Sequence, residues 1–199
     1  MIQLIGWTIC PAHHKKGKLM AVDTERAANA VRDLLASFGT EAQSAEMRDT
    51  PIRVAEFWAE RLDGYGFDPA SELRPVADGL EPCPVILERI PFASTCEHHL
   101  APFYGHVTLG YLPGDGGTVG LSKLIRVVNA FAHRLQLQER MTWQIFNALN
   151  THLIPKGWGV KVVAEHTCIA HRGVKTPKVP VTTILLGGEW RENAPLALR

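Results

Sequence analysis

The sequence predicts an α+β fold in which helices cover one face of an antiparallel sheet, preceded by N-terminal helices. Three observations carry this. Helical periodicity marks residues 22–39 and 49–66, with a polar connection at 40–48. Past residue 84 the apolar period shortens to alternation. The second half then reads strand, strand, helix, helix, strand, strand, the blockwise order of an α+β domain.

The elements follow in order. VDTERAANAVRDLLASFG (22–39) is a helix that Asp23 or Thr24 can cap; Ala27, Val31, Leu34 and Phe38 share one face, and Gly39 ends it. DTPIRVAEFWAERLDGYG (49–66) is a second helix, with Thr50 suited to the cap and Pro51 to the first helical position, where a missing N–H costs nothing. Val54, Phe57, Trp58, Arg61 and Leu62 form its stripe. PVILERIPFAS (84–94) and GHVTLGYLP (105–113) read as strands, the latter with Val107, Leu109 and Tyr111 on one face. PGDGG (113–117) is a turn. Ser122 then caps a long helix with Leu124, Ile125, Val128, Ala132 and Leu135 on its buried side. A further helix, 138–153, buries Met141, Ile145, Leu149 and Leu153. GVKVVAEHTCIAH (159–171) and PVTTILLGG (180–188) are the last two strands. The expected organisation is an N-terminal arm at 1–20, a helical region at 21–67, a linker at 68–84, the sheet-bearing domain at 85–190 and a tail at 191–199.

The 199 residues are 46% hydrophobic and 21% charged, enough to bury a core. A formal net charge of +1 gives no overall field for nucleic acid or a membrane surface. No apolar run is long enough to cross a bilayer, and the lysines near the N-terminus follow the apolar start rather than precede it, so a cytoplasmic protein is expected. The basic cluster His13, His14, Lys15, Lys16 and Lys18 reads as a solvated tail, and nothing supports a metal site at Cys10. In such a compartment the four cysteines are not evidence for disulfides.

STCEHHLAPF (94–103) and EHTCIAHRG (165–173) carry the chemistry. Cys96 and His99 have the C-x₂-H spacing of two ligands on a turn. His166 and Cys168 lie two apart in an expected strand and so point to one face. If that strand lies beside 94–103, Cys96, His99 and Cys168 meet around one ion. Two thiolates and an imidazole suit Zn²⁺ and select against Mg²⁺ and Ca²⁺. Three protein ligands leave a position for water, whose pKa zinc lowers to roughly 7–9. A closed structural site, with His166 or His171 as fourth ligand, is the alternative. His98 and His166 are then proton carriers that titrate near neutrality. Glu97 either orients a ligand or forms a local salt bridge.

Lys123 and Arg126, near a helix N-terminus, suit a phosphate, against the alternative of an ordinary solvated basic face; Arg172 adds a third cation. Gln138 and Glu139 offer an amide and a carboxylate, and a carboxylate can accept two N–H bonds from the Watson–Crick edge of guanine.

Together these motifs resemble GTP cyclohydrolase I. The matching stretches are DTPIRVAEFWAERLDGY, FASTCEHHLAPFYGHVTLGYLP, VGLSKLIRVVNAFAHRLQLQERMTWQI, and EHTCIAHRGV followed by VTTILLG, most of residues 49–187. The resemblance implies the tunnelling fold, in which sheets of many subunits close into a barrel with helices outside. It implies a homodecamer with active sites at subunit interfaces. It makes Cys96, His99 and Cys168 zinc ligands, and His98 and His166 the acid–base histidines. Glu139 with Gln138 becomes the guanine anchor, Lys123, Arg126 and Arg172 contact the triphosphate, Ser122 lies near the ribose, and Arg53 matches a basic position. The implied reaction takes GTP and water to 7,8-dihydroneopterin triphosphate and formate. The chain departs from the family at Glu56, where many members carry Lys, at His171, and in a shortened 174–181 loop with Pro177 and Pro180. Glu56 and the altered loop motivate one alternative, a variant cyclohydrolase that takes another purine nucleotide or stops at the formamide; a closed, four-coordinate zinc would instead make the chain a non-catalytic binding or regulatory module.

Overall fold

In a computed structural model, residues 22–39, 44–76, 82–115 and 117–199 are described; Cys10 and the 13–18 basic cluster lie outside them. Helix α1, Thr24–Ala36, is capped by Asp23, whose carboxylate accepts the Arg26 N–H at 3.0 Å. That satisfies one donor that a helix start leaves unpaired. Helix α2 spans Thr50–Arg61, with Asp49 rather than Thr50 in the cap position. It stops short of residue 66, and Asp63–Gly66 tightens into a 3₁₀ turn. A Cβ on Gly64 would lie 2.0 Å from the Ala130 carbonyl oxygen, so the turn needs glycine to approach so closely. α1 and α2 pack on each other. Of the expected α1 stripe, Leu34 and Phe38 remain exposed, as do Ile52 and Phe57 of α2.

The stretch expected as a linker is partly anchored. Pro69–Glu72 forms a single turn, α3, capped by Asp68. Leu73 is buried, and Val76 pairs with Thr118.

Five strands form one sheet: β1 Val85–Cys96, β2 Ala101–Leu112, β3 Leu135–Gln136, β4 Gly157–His166 and β5 Pro180–Gly188, in the order β3-β1-β2-β4-β5. β1 to β2, β2 to β4 and β4 to β5 are antiparallel, while the short β3 runs parallel to β1 at the edge. α4, Leu121–Ala132, and α5, Gln138–Leu153, connect β2 to β3 and β3 to β4. Both pack on one face. The core lies between: Phe103, Val107, Leu109 and Tyr111 of β2 meet Leu124, Val127 and Val128 of α4, Met141, Ile145 and Leu149 of α5, and Val160 and Val162 of β4. The strands contribute alternate residues, as a pleat with one buried face requires.

Several boundaries differ from the sequence reading. β1 and β2 extend to Cys96 and from Ala101, because Glu97–Leu100 is a tight connection in which Leu100 takes φ 51°. Gly120, not Ser122, is the N-cap of α4, without a side-chain bond. Ser122 sits exposed in the first turn, and α4 buries Val127 and Phe131 rather than Ile125. The helix ends before Leu135, which is drawn into the edge strand; its N–H donates to the Tyr65 hydroxyl at 3.2 Å. The last residues are not set apart from the sheet. Leu198 is buried and lies beside Gly159, and the Lys161 ammonium donates to the Arg199 carbonyl. Gly159 and Lys161 point away from α4 and α5, so this C-terminal turn covers part of the opposite face. No helix among the described residues is long and apolar enough to cross a membrane.

Candidate metal centre and nucleotide site

The β1–β2 hairpin holds the first two metal-ligating side chains. Cys96 ends β1, buried, and His99 sits in the turn. The Leu100 N–H returns to the Cys96 carbonyl at 2.9 Å, closing the turn, and His99 Nδ1 comes to 3.7 Å from Cys96 Sγ. Cys168 arrives from the far end of β4. Phe103 is paired with His166, which brings that end beside the start of β2. There the chain leaves the strand. The Thr167 hydroxyl donates to the Pro102 carbonyl at 2.6 Å, and Thr167–Ala170 forms a helical turn, α6. Cys168 is therefore carried by a helical turn, not by a strand that shares its face with His166, which corrects the strand expected to run to residue 171. The turn swings the thiol toward the hairpin. The ligand atoms of Cys96, His99 and Cys168 all lie within 4.8 Å of one another, the one such His/Cys/Asp/Glu cluster among the described residues. His166 and His171 do not join it.

The donor set fits a divalent ion. Burial raises the pKa of the Cys168 thiol first, and neighbouring Cys96 adds to that, while Arg172 pulls it down. Two adjacent thiols resist ionising together; a cation between them removes that resistance and favours both thiolates. Soft sulfur with imidazole at this spacing suits zinc far better than magnesium or calcium.

Around this triad, one end of the sheet gathers further polar groups. His98 is exposed, its ring edge-on to that of His99 with centroids 6.2 Å apart. His166 stacks flat on Phe103, centroids 4.6 Å apart and planes 3° from parallel, and its Nε2 lies 2.8 Å from Gln138 Oε1. Burial lowers the His166 pKa, with Glu139 opposing. The neutral imidazole therefore dominates near pH 7. Glu139 stands exposed in the first turn of α5. The Gln138 side chain, expected beside the guanine anchor, is 1% exposed, and its amide meets the Val162 and Val181 carbonyls, the Thr183 hydroxyl and His166.

The phosphate-binding candidates are not all here. Arg172 lies close enough to influence Cys168. Lys123 and Arg126 do not, nor does Ser122, the residue expected near the ribose. α4 runs alongside β1 in the same direction, and its last carbonyl, Ala132, accepts the Ser94 hydroxyl at 2.6 Å, two residues before Cys96. Lys123 is thus about 14 Å along the helix from the metal end, at 1.5 Å per residue. There the Glu72 carboxylate accepts Lys123 at 2.8 Å and Arg126 at 3.3 Å. Those bonds, the Lys123 bond chief among them, hold the Glu72 carboxyl below its ordinary pKa. Arg53 lies on α2, largely exposed and paired with Asp49 at 3.4 Å.

Two participants, Arg140 and Phe103, escaped the sequence reading. Glu97 pairs with Arg140, whose guanidinium also donates to Gln136 Oε1 at 3.1 Å and the Leu135 carbonyl at 3.0 Å. The Glu97 N–H donates to the Gln136 carbonyl at 3.1 Å. Glu97 thereby ties the metal-bearing turn to β3 and to the start of α5. A signal was present: an arginine in the first turn of a helix opposes the dipole and calls for an anionic partner. We expect Glu97→Gln to weaken metal binding about 10–100-fold, read by competition with a chelator, as for other groups that orient ligands. Its effect on stability should be small, since the two side chains are 40% and 30% exposed. Unchanged metal affinity would leave Glu97 as a plain salt bridge. The second participant is Phe103, whose ring gives His166 its stacking surface.

The family model described as GTP cyclohydrolase I matches residues 27–198. A protein of Nitrosospira multiformis named GTP cyclohydrolase 1 is 45% identical over 163 residues, 81% of this chain and 85% of that protein. One of the same name from Streptococcus pyogenes serotype M49 is 43% identical over 179 residues, 90% of this chain and 92% of that protein. Among solved structures, the apo form of the archaeosine synthase QueF-Like is similar to 55% of this chain and covers 97% of its own, at 18% identity and a TM-score of 0.43.

Proposed function

The chain belongs to the GTP cyclohydrolase I family, and from that premise we propose that it hydrolyses GTP at C8 of guanine, giving 7,8-dihydroneopterin triphosphate and formate, at a zinc site built from Cys96, His99 and Cys168. The observation that carries this reading is the convergence of those three ligand atoms within 4.8 Å, at the end of the sheet that also holds His98, His166 and Glu139. When bound, zinc supplies a Lewis acid that makes water nucleophilic at neutral pH.

The chain's own groups do the rest. Glu139, exposed at the helix start, accepts the N–H pair of the guanine edge and fixes the base against the metal end. His166, kept neutral by burial, accepts a proton. His98, exposed beside the ligand turn, delivers one to the ring nitrogen as the C8 bond opens, and a second hydrolysis releases formate. Ser122 attends the ribose as it opens and recloses. Lys123, Arg126 and Arg172 neutralise the triphosphate, with Arg53 as a further cation.

Lys123 lies about 14 Å along α4 from the metal end, whereas Arg172 lies at that end. That separation supports a site shared between subunits, in which one subunit's α4 start faces another's metal end. It fits the tunnelling-fold barrel and the homodecamer, with the exposed Leu34, Phe38, Ile52 and Phe57 available to interfaces. The catalytic unit would be residues 85–190, with the helices of 21–67 joined to it through 68–84. With GTP and the zinc-loaded protein, mass analysis should find formate and the dihydroneopterin product. A formamide as sole product, or a preference for another purine nucleotide, would favour the variant enzyme instead.

Glu72 makes a second prediction. A triphosphate at Lys123 and Arg126 must displace its carboxylate. Glu72→Gln should lower the KM for GTP by up to about fivefold, the scale of an exposed ion pair. A raised KM would mean that Glu72 organises the two cations rather than competes for them.

A further inference from the structure

We propose that Gln138 is a positioning residue that holds His166 in the tautomer protonated at Nε2, so that the neutral ring keeps its lone pair at Nδ1. The proposal rests on His166 being an acid–base group, and it removes Gln138 from the substrate contacts.

The assignment follows from counting hydrogens. Gln138 Nε2 lies 3.2 Å from the Val162 carbonyl, 3.0 Å from the Val181 carbonyl and 3.2 Å from Thr183 Oγ1. Backbone carbonyls only accept, so the NH₂ end of the amide must face them. The reversed amide would press Oε1 against two carbonyl oxygens in a buried site, where unpaired polar atoms are costly. The threonines agree. Thr142 spends its hydroxyl proton on the Gln138 carbonyl at 2.8 Å. In the 2.6 Å contact between Thr142 and Thr183, Thr183 must therefore donate, and its lone pairs remain for the Gln138 amide. Oε1 is left pointing at His166 Nε2, 2.8 Å away. An amide oxygen only accepts, so Nε2 carries the hydrogen. Phe103, parallel to the ring at 4.6 Å, holds its plane.

The consequence is directional. The Nε2–H stays bonded to Gln138, and the Nδ1 lone pair is the one acceptor that the neutral ring presents. The wrong tautomer would present N–H where a base is needed, and mis-set tautomers are costly to histidine catalysis. His98 has no such tether among its described contacts, so the two histidines are not interchangeable.

The test is ¹⁵N NMR of the zinc-loaded, ¹⁵N-histidine-labelled protein, with the His166 signals identified by their loss in His166→Asn. We expect the neutral ring to show Nε2 protonated and Nδ1 bare. In Gln138→Met, similar in volume, the two tautomers should mix. Its kcat should fall at least about tenfold, within the roughly 10²–10⁴-fold that a placed acid–base group contributes. KM for GTP, and discrimination between GTP and the inosine nucleotide, should stay unchanged. An Nδ1-protonated ring in the unsubstituted protein overturns the proposal. So does a Gln138→Met protein with raised KM, weakened discrimination and normal kcat, the behaviour of a guanine anchor. If Gln138→Met does not fold, the spectrum of the unsubstituted protein decides alone. A His166→Ala protein that keeps full turnover would undo the acid–base reading instead, and would leave the tautomer result standing.

Discussion

Cys168→Ser is expected to lose bound zinc and to lower GTP turnover by roughly a thousandfold or more. Cys168 is the ligand most dependent on the fold, because it reaches Cys96 and His99 through the turn after β4, not through local sequence. Metal activation contributes several kcal/mol to such a reaction, and each ~1.4 kcal/mol is a factor of ten in rate. Serine offers a hydroxyl that does not ionise near neutral pH, so the site keeps one thiolate and one imidazole, too few to hold the ion tightly. The pairing of metal content with activity is the informative readout. A Cys168→Ser protein with full zinc and full turnover would show that the 4.8 Å triad is incidental.

The second large effect is the opposite pairing. His98→Ala and His166→Ala should each retain zinc and lose kcat by about 10²–10⁴-fold, the range of general acid–base catalysis. Both sit beside ligands, yet neither contributes to the triad. Zinc loss from His98→Ala would make that histidine a ligand and undo the division of labour within CEHH. The two variants should also differ from each other. His98 is exposed, whereas His166 is half-buried, stacked and tethered, so only His166→Ala leaves the Gln138 oxygen without its donor. We expect it to cost some stability as well, about 1–3 kcal/mol for the orphaned acceptor.

Where periodicity was strong, the sequence was a sound guide. α5 runs over the residues its apolar repeat marks, and Val107, Leu109 and Tyr111 of the alternating strand are fully buried. The ligand trio was legible as residue types in two segments. Its geometry was not, because a Thr167 hydroxyl reaching the Pro102 carbonyl turns the chain out of β4 just before Cys168, and no local pattern marks that bond. Gln138 looked available because a glutamine at a helix start is usually solvated. Only the closing of β4 and β5 over it supplies the carbonyls that occupy its amide. Glu72 was hidden for a similar reason: α3 is one turn in a Pro-rich stretch, and its meeting with Lys123 and Arg126 is a tertiary contact. The uncovered apolar residues of α1 and α2 follow amphipathic patterns that one chain does not fully bury.

The central claim is that Cys96, His99 and Cys168 together hold a zinc ion and leave a coordination position open beside two unligated histidines. X-ray absorption at the zinc edge of the purified protein tests it most directly. The account predicts two sulfurs at about 2.3 Å, a single imidazole and one light atom from solvent. Two imidazoles closing the shell, or a fully active protein that binds no zinc, would contradict it.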